Sequence, residues 1–493
     1  MGIRNREKRA AAAKQRAKQR ARRAFGERSG FGGPGFGERP GFGGPGFGGP
    51  GFGGPGSGGP GVGGPGFGES GFGDGVFGAA PRLPTPAELA ERVLTAAEDC
   101  ARGDTTAAPR CAETLVNDLA DAPTLAARAV EMAALDTLTH SWRRGWQPAD
   151  LWQVTRRRLP AALGYLVDLL AADAARHSAA ALAPAWSAQL RRLEAEVWWR
   201  TDEPHLDQWT ARHTVGRTEA VALVVEWIAM VRLLPTMSEL IPPPGSPAAR
   251  TAGASRKTSP EGVDPKVLTR VRALLAKAES TEFAEEADAF FAKAQELMSR
   301  YALERAMLDA DAPEAAAPGG RRIWLDAPYV SAKSLLIDQV ARANRSRAVF
   351  HSGLDCVTVL GDEVDLELVE VLSTSLLVHA SQAMVAAGRQ QDRYGQSRTK
   401  SFRQSFLVSY ATRIGERLSA ADVAVAQAVA GELGDGRLLP VLAARTAAVE
   451  ELFGQLFPRL TSKAVSVSNA AGWGAGRVAA DLANLDVRRA VRR

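Results

Sequence analysis

Between residues 84 and 240 the apolar side chains recur three or four positions apart and show no strand-like alternation, which is the spacing of one helical face. Proline interrupts the stretch at Pro123, Pro148, Pro160, Pro184 and Pro204. An interior proline removes a helical hydrogen bond and clashes with the preceding turn, so the pattern predicts roughly six helices in place of one long one. The region should open at "PTPAELAERVL", where Thr85 is an N-cap, Pro86 takes the first helical position and Glu88 completes a capping box. Eight of the ten tryptophans fall between Trp142 and Trp227. In "HSWRRGWQPADLWQVTRRRL" they alternate with arginines, a pattern that could stack on nucleic-acid bases. Packing of helices is the favoured reading, because rings of this size are costly to leave in water.

The segment before this region cannot fold in the same way. Residues 26–78 are dominated by Gly and Pro, with too few aliphatic side chains to offset the entropy of ordering them. Its five-residue repeat, as in "GFGGPGFGGPGFGGP", favours type II turns, since Pro fixes φ at one central position and Gly supplies positive φ at the next. Collagen is excluded, because its period is three. The repeat resembles elastin-like and Phe-Gly low-complexity sequences in composition. It is expected to be a disordered spacer, and self-association through Phe31, Phe36, Phe42, Phe47 and Phe52 is the alternative.

Charge is unevenly placed. Residues 1–28 hold eleven Lys or Arg against Glu7 and Glu27, a net +9, whereas the whole chain carries +6, which leaves −3 for everything after. Arg4, Arg6, Lys8, Arg9, Lys14, Arg16, Lys18, Arg20, Arg22 and Arg23 therefore form a tethered cationic arm. Nonspecific contact with nucleic acid is the functional expectation for it, against a solvated tail; anionic lipid is disfavoured because alanine offers little to insert between acyl chains. Cys100, Cys111 and Cys356 form no CxxC pair and leave an odd count, which argues against a disulfide scaffold or a thiolate metal site. No uninterrupted run of about 18 apolar residues occurs, and the basic start lacks the apolar core of a signal peptide. A cytoplasmic protein without a membrane span is expected.

Beyond residue 240 the composition marks further boundaries. Residues 241–263, rich in Pro, Gly, Ser and Ala, read as a linker, and 309–320 as a second, shorter one. Between them lies "DPKVLTRVRALLAKAESTEFAEEADAFFAKAQELMSRYAL". Its first helix aligns Val267, Leu268, Val271, Leu274, Leu275 and Ala278 in an apolar stripe and leaves Lys266, Arg270, Arg272 and Lys277 to solvent. Its second helix presents Phe283, Phe290, Phe291, Leu297, Met298 and Tyr301. The two stripes should meet as a hairpin that docks on another surface, since so short a pair buries little by itself. Glu279, Glu282, Glu285, Glu286 and Asp288 sit where the helix macrodipole favours acids, a structural explanation favoured over a metal or general-base role for Glu285 and Glu286. The basic face is a candidate phosphate contact.

From residue 321 to 493 strand and helix signals mix. "RRIWLDAP" reads as a strand, "SRAVFHSGLDCVTVLG" as a hairpin, and helices are expected at 331–343, 365–387, 401–433, 438–457 and near 470–485. A small antiparallel sheet covered by helices on one side follows from that order. The fold expected is thus mostly α: a basic arm (1–28), a disordered repeat (29–83), a multi-helix domain (84–240), a helical hairpin (264–308) and a small α+β domain (321–493).

The hairpin also resembles the bacterial and phage family known as domain of unknown function 2786, through its basic amphipathic helix, "LLAKAEST" and "KAQELMSRY". Residues from 321 onward, including "SFRQSFLVSYATRIGERL", are similar to the region that often follows it. The resemblance implies a domain layout and carries no catalytic residue.

Candidate chemistry is sparse. His205 and His213 are eight apart, not the four that would place two imidazoles on one helical face for zinc. His379 falls on an apolar face and reads as a hydrogen-bonded core residue. His351, Asp355 and Cys356 cluster at a turn, yet Cys356 begins an apolar strand, where burial would disfavour a thiolate. "GWGAGR" lacks the preceding strand and the Lys-Ser/Thr of a phosphate loop, so its glycines suit close packing. Arg398, Lys400 and Arg403 stand beside Phe402, Phe406 and Tyr410; they are possible secondary basic contacts, although the aromatics also have core spacing. No catalytic residue, metal ligand or cofactor is assigned. The expected function is a non-enzymatic binding or adaptor protein, associated with nucleic acid through its arm and with a protein partner through its folded body. The alternatives are a nucleic-acid hydrolase with a carboxylate or histidine site in the C-terminal half, and a structural protein assembled by the repeats.

Overall fold

The computed structural model describes residues 83–254, 263–281, 284–310, 317–388, 390, 397–433, 438–461, 465 and 467–482. The basic arm, with Arg4, Arg6, Lys8, Arg9, Lys14, Arg16, Lys18, Arg20, Arg22 and Arg23, and the Gly-Phe repeat lie outside the described residues.

The first half is helical throughout: α1 (Pro86–Ala101), α2 (Ala107–Asp118), α3 (Pro123–Arg143), α4 (Pro148–Arg158), α5 (Leu163–Ala175), α6 (Pro184–Arg192), α7 (His205–His213) and α8 (Arg217–Arg232). Proline opens α1, α3, α4 and α6, where its missing N–H costs nothing. The Thr85–Glu88 capping box forms. Eight helices replace the six expected because two breaks need no proline. Gly103 follows α1 with φ +105, and Thr214 ends α7 in the left-handed region. Trp142, Trp146, Trp186, Trp209 and Trp227 are buried packing elements, whereas Trp198 is exposed. Trp142 meets Trp186 edge-on at 4.9 Å, and the indole N–H groups of Trp142, Trp146 and Trp227 donate to Asp173, the Pro235 carbonyl and Thr155 at 3.0, 2.9 and 3.2 Å.

The linker expected at 241–263 is not wholly irregular. Helix α9 (Pro247–Ala254) occupies its centre, with the Ser246 hydroxyl accepting from Ala249 N at 3.1 Å. Ala249 is fully buried, and Gly245 N donates to the Ala181 carbonyl at 2.9 Å, so the segment is fastened to the helical half. One small side chain and one backbone bond suffice, which composition does not reveal.

The second half contains α10 (Pro265–Ser280), α11 (Ala284–Ala310), β1 (Gly319–Trp324), α12 (Val330–Ala343), β2 (Arg347–His351), β3 (Cys356–Gly361), α13 (Glu363–Ala386), α14 (Thr399–Leu433), α15 (Leu438–Leu456) and α16 (Ala470–Leu482). Helix α11 runs into the start of the second expected linker. The α10–α11 hairpin buries Leu268, Val271, Leu275, Phe291 and Met298 in the same core as Leu336, Leu372 and Tyr410. Helix α13 is, among the described residues, the one helix long and apolar enough to cross a membrane. Here Leu366, Leu368, Val369, Leu372 and Leu376 are buried within that core.

The sheet has the order β1-β3-β2 and is antiparallel. Its covering differs from expectation: β3 is buried along its whole length. Val357 and Val359 point into the core shared with α12 and α13, while Cys356, one pleat over, belongs to the core of the helical half together with Leu354 and Trp324. Both faces are therefore covered, because the helical half supplies the second layer.

Helix α16 lies against α14 with two glycines at the contact. A Cβ on Gly472 or Gly476 would press into the Phe402 or Phe406 carbonyl, which is why "GWGAGR" belongs to a helix interface.

Candidate functional site

The sheet face turned toward the helical half carries Trp324, Cys356 and His351 in one cross-strand row and Arg322 and Thr358 in the next. Arg322 reaches the Asp150 carboxylate of α4 and also donates to the carbonyls of Gly145 (3.0 Å) and Ser238 (2.6 Å). The second Asp150 oxygen accepts from the Trp324 indole at 2.8 Å. Both charged side chains are 2–3% exposed. Arg157 lies over the Trp324 ring at 5.1 Å and bonds Asp326, as does Arg156. Burial on this scale tolerates an ion pair only when its remaining donors and acceptors are satisfied. Three acceptors around one guanidinium meet most of that demand, and only Arg322 Nε is left without a partner.

This seam also decides the fate of the residues at the β2–β3 turn. The His351 Nε2 pairs with Thr358 Oγ1 at 2.8 Å. Burial, followed by the nearby Arg322 cation, pulls its imidazole down to about 4. Burial pushes the Cys356 thiol up to about 12, so little thiolate exists near neutrality. Asp355 takes positive φ in the turn, and its carbonyl accepts from Leu325 N at 2.9 Å. His351, Asp355 and Cys356 are adjacent, but the chemistry of a Cys-His pair is not assembled there.

The other candidates have structural partners. His205 pairs with Asp168 of α5 at 2.9 Å, under the Trp199 ring at 4.4 Å. Glu131 of α3 accepts from Leu206 N at 3.0 Å and so caps α7, which has no side-chain cap of its own. Burial raises the Glu131 carboxyl above its ordinary range. His213 packs on Trp209 instead, with ring centroids 4.7 Å apart. Local spacing hid the Asp168 and Glu131 contacts, which come from 37 and 75 residues away; the only hint was an aspartate inside the apolar "LGYLVDLL". His379 bonds the Tyr410 hydroxyl at 2.9 Å in the core. Glu286 is exposed and accepts from Thr281 at 3.1 Å. Among the described residues, no group of three or more His, Cys, Asp or Glu is arranged to hold a metal ion.

Phe402, Phe406 and Tyr410 are buried, so the aromatics needed for base stacking beside Arg398, Lys400 and Arg403 face inward. Arg398 and Lys400 are exposed and Arg403 is half-buried. Lys400 and Gln404 border a hollow of about 550 Å³ with Tyr329 and Ser331.

A second concave region of about 360 Å³ opens between α10 and α13, bordered by Arg192, Arg272, Arg321, Glu367 and Glu370. Arg321 is held by Glu363 and by Glu370, the latter at 2.5 Å. Glu367 accepts from Val263 N at 3.0 Å. Arg192 and Arg272 are exposed and carry no ion pair among the described residues. The hairpin supplies one wall of this concavity, whose lining mixes three arginines with two glutamates.

Comparison with known proteins bears on that hairpin alone. No curated protein and no solved structure matches the chain. Residues 266–305, which span α10 and most of α11, match the family model described as "Protein of unknown function (DUF2786)".

Proposed function

We propose that this chain works by binding, holding nucleic acid nonspecifically through residues 1–28 while its folded body meets a protein partner. The observation that carries the proposal is the charge division: +9 on the first 28 residues against −3 on the remaining 465. A cationic segment of that density releases counterions when it meets a phosphate backbone, and affinity then falls steeply as salt rises. The nearly neutral remainder suits association with another protein, without long-range repulsion. Three thiols free of disulfide bonds fit a reducing compartment, and the proposal places the protein in the cytoplasm.

A hydrolase using His351 or Cys356 as its base or nucleophile is disfavoured, because burial displaces both from neutrality, His351 to about 4 and Cys356 to about 12. The test is retention on immobilised duplex DNA and on RNA at low salt. The full chain should be retained and released by nuclease, and the chain lacking residues 1–28 should lose most of that retention. Equal retention of the two proteins would refute the role of the arm.

A further inference from the structure

Through Ala278, the outer surface of α10 carries cations and no acids. From Pro265 to Ala278 the helix contains Lys266, Arg270, Arg272 and Lys277 and not one acid. All four cations are exposed and none has an ion pair among the described residues, although Lys277 Nζ lies over the Phe290 ring, 5.6 Å from its centroid. On α11 of the same hairpin the pattern differs: Arg300 grips Glu432 through two bonds of 2.8 and 3.0 Å. With 3.6 residues per turn, Lys266, Arg270 and Lys277 line one edge of the exposed face and Arg272 the other. Thr269, Ala273 and Ala276 lie between them and are themselves exposed. The middle of the face is thus low and the rim cationic, and beyond the Arg272 edge the concavity shared with Arg192 continues it.

We propose that this face is a second phosphate-backbone contact, at which Lys266, Arg270, Arg272 and Lys277 hold duplex nucleic acid without reading its sequence. The inference deepens the nucleic-acid reading of the arm, because it supposes the same class of partner at a separate place. Charge complementarity selects that partner. From Lys266 to Lys277 the helix rises about 16 Å, a length over which a B-form duplex presents about nine phosphate charges. Small side chains in the middle let the helix approach the backbone closely enough for the longer cations to reach phosphates on either side. An anionic membrane fits less well, since the face exposes no large apolar side chain to enter the acyl region. The inner stripe of Leu268, Val271 and Leu275 is buried, so the helix is held with this side outward.

The test uses full-length protein and a labelled duplex DNA of about two turns, with affinity followed between about 50 and 200 mM salt. One variant combines Lys266→Gln, Arg270→Gln, Arg272→Gln and Lys277→Gln; a second changes only Lys266→Gln and Lys277→Gln; a third replaces the ten cations of residues 4–23 with Gln. Loss of four phosphate contacts should reduce the slope of log affinity against log salt by about 3 to 4, and loss of two by about half of that. The melting temperature should stay that of the parent. An unchanged slope in both α10 variants would overturn the proposal. So would a loss seen with anionic vesicles and not with DNA, which would assign the face to lipid. A reduced slope in the α10 variants with no effect of the arm substitutions would uphold this face and remove the arm reading; the reverse result would uphold the arm and remove this face.

Discussion

Arg322 and Arg272 make opposite uses of the same side chain. Arg322 is 2% exposed, and its guanidinium faces one carboxylate and two carbonyls of the helical half. Arg272 stands in water on α10 with no ion pair among the described residues. The contrast teaches that a charged residue's role here depends on what the opposite layer offers. Where the helical half presents Asp150, the sheet's cation fastens two layers; where α10 faces solvent, its cations are left available for a partner. The first arrangement is expressed in stability and the second in salt-dependent binding.

Separate substitutions can break that contrast. The largest effect should come from Asp150→Ala, which strands the Arg322 guanidinium and the Trp324 indole in a dry seam; unpairing a buried charge costs about 3 to 5 kcal/mol. Urea unfolding would measure it, and a change below about 1 kcal/mol would mean that the seam does not hold the layers together. Next, Gly476→Ala should cost about 1 to 3 kcal/mol by forcing α16 away from α14, because overpacking a close helix contact shifts backbone. A variant as stable as the parent would show that the helices are not in tight contact there.

A smaller effect belongs to pH. His351 titrates near 4 when folded against an ordinary 6.5, so the unfolded chain binds the proton more readily. Its contribution to stability is present above about 6.5 and is lost as pH falls toward 4. With partial solvent screening the loss between pH 7 and pH 5 should be on the order of 1 kcal/mol. A His351→Gln variant should lack this component, and an unchanged pH profile would count against the buried neutral imidazole. The smallest stability effect should come from the fourfold Gln variant of α10. It should melt with the parent while its DNA affinity loses salt sensitivity, and a lowered melting temperature would place those cations among the structural ones.

Much of the layout was legible before any coordinates. Thr85, Pro86 and Glu88 announced the first helix because a capping box is local chemistry, and the prolines marked helix starts for the same reason. The αα-hairpin could be read from its two apolar stripes. Gly472 and Gly476 were recognisable as packing glycines, since the sequence around them lacks the elements of a phosphate loop. Less could be read where the breaking signal was weak. Gly103 and Thr214 end helices without proline, and α9 is fastened by buried Ala249 and the Gly245 backbone bond. The seam was invisible: Asp150 and Arg322 are 172 residues apart, and neither sits in a spacing that names the other.

The amino-acid sequence by itself determined most of the helices, the strands, and where positive charge concentrates, because capping, periodicity and composition act over a few neighbouring residues. Only the tertiary structure decided that the sheet is covered on both faces, that His205 belongs to Asp168 and that Arg322 belongs to Asp150. It likewise decided which arginines are spent inside the protein and which, on α10, remain outside. Those outcomes depend on what two distant surfaces bring to one dry contact, where an unmatched charge is costly and a matched one is held.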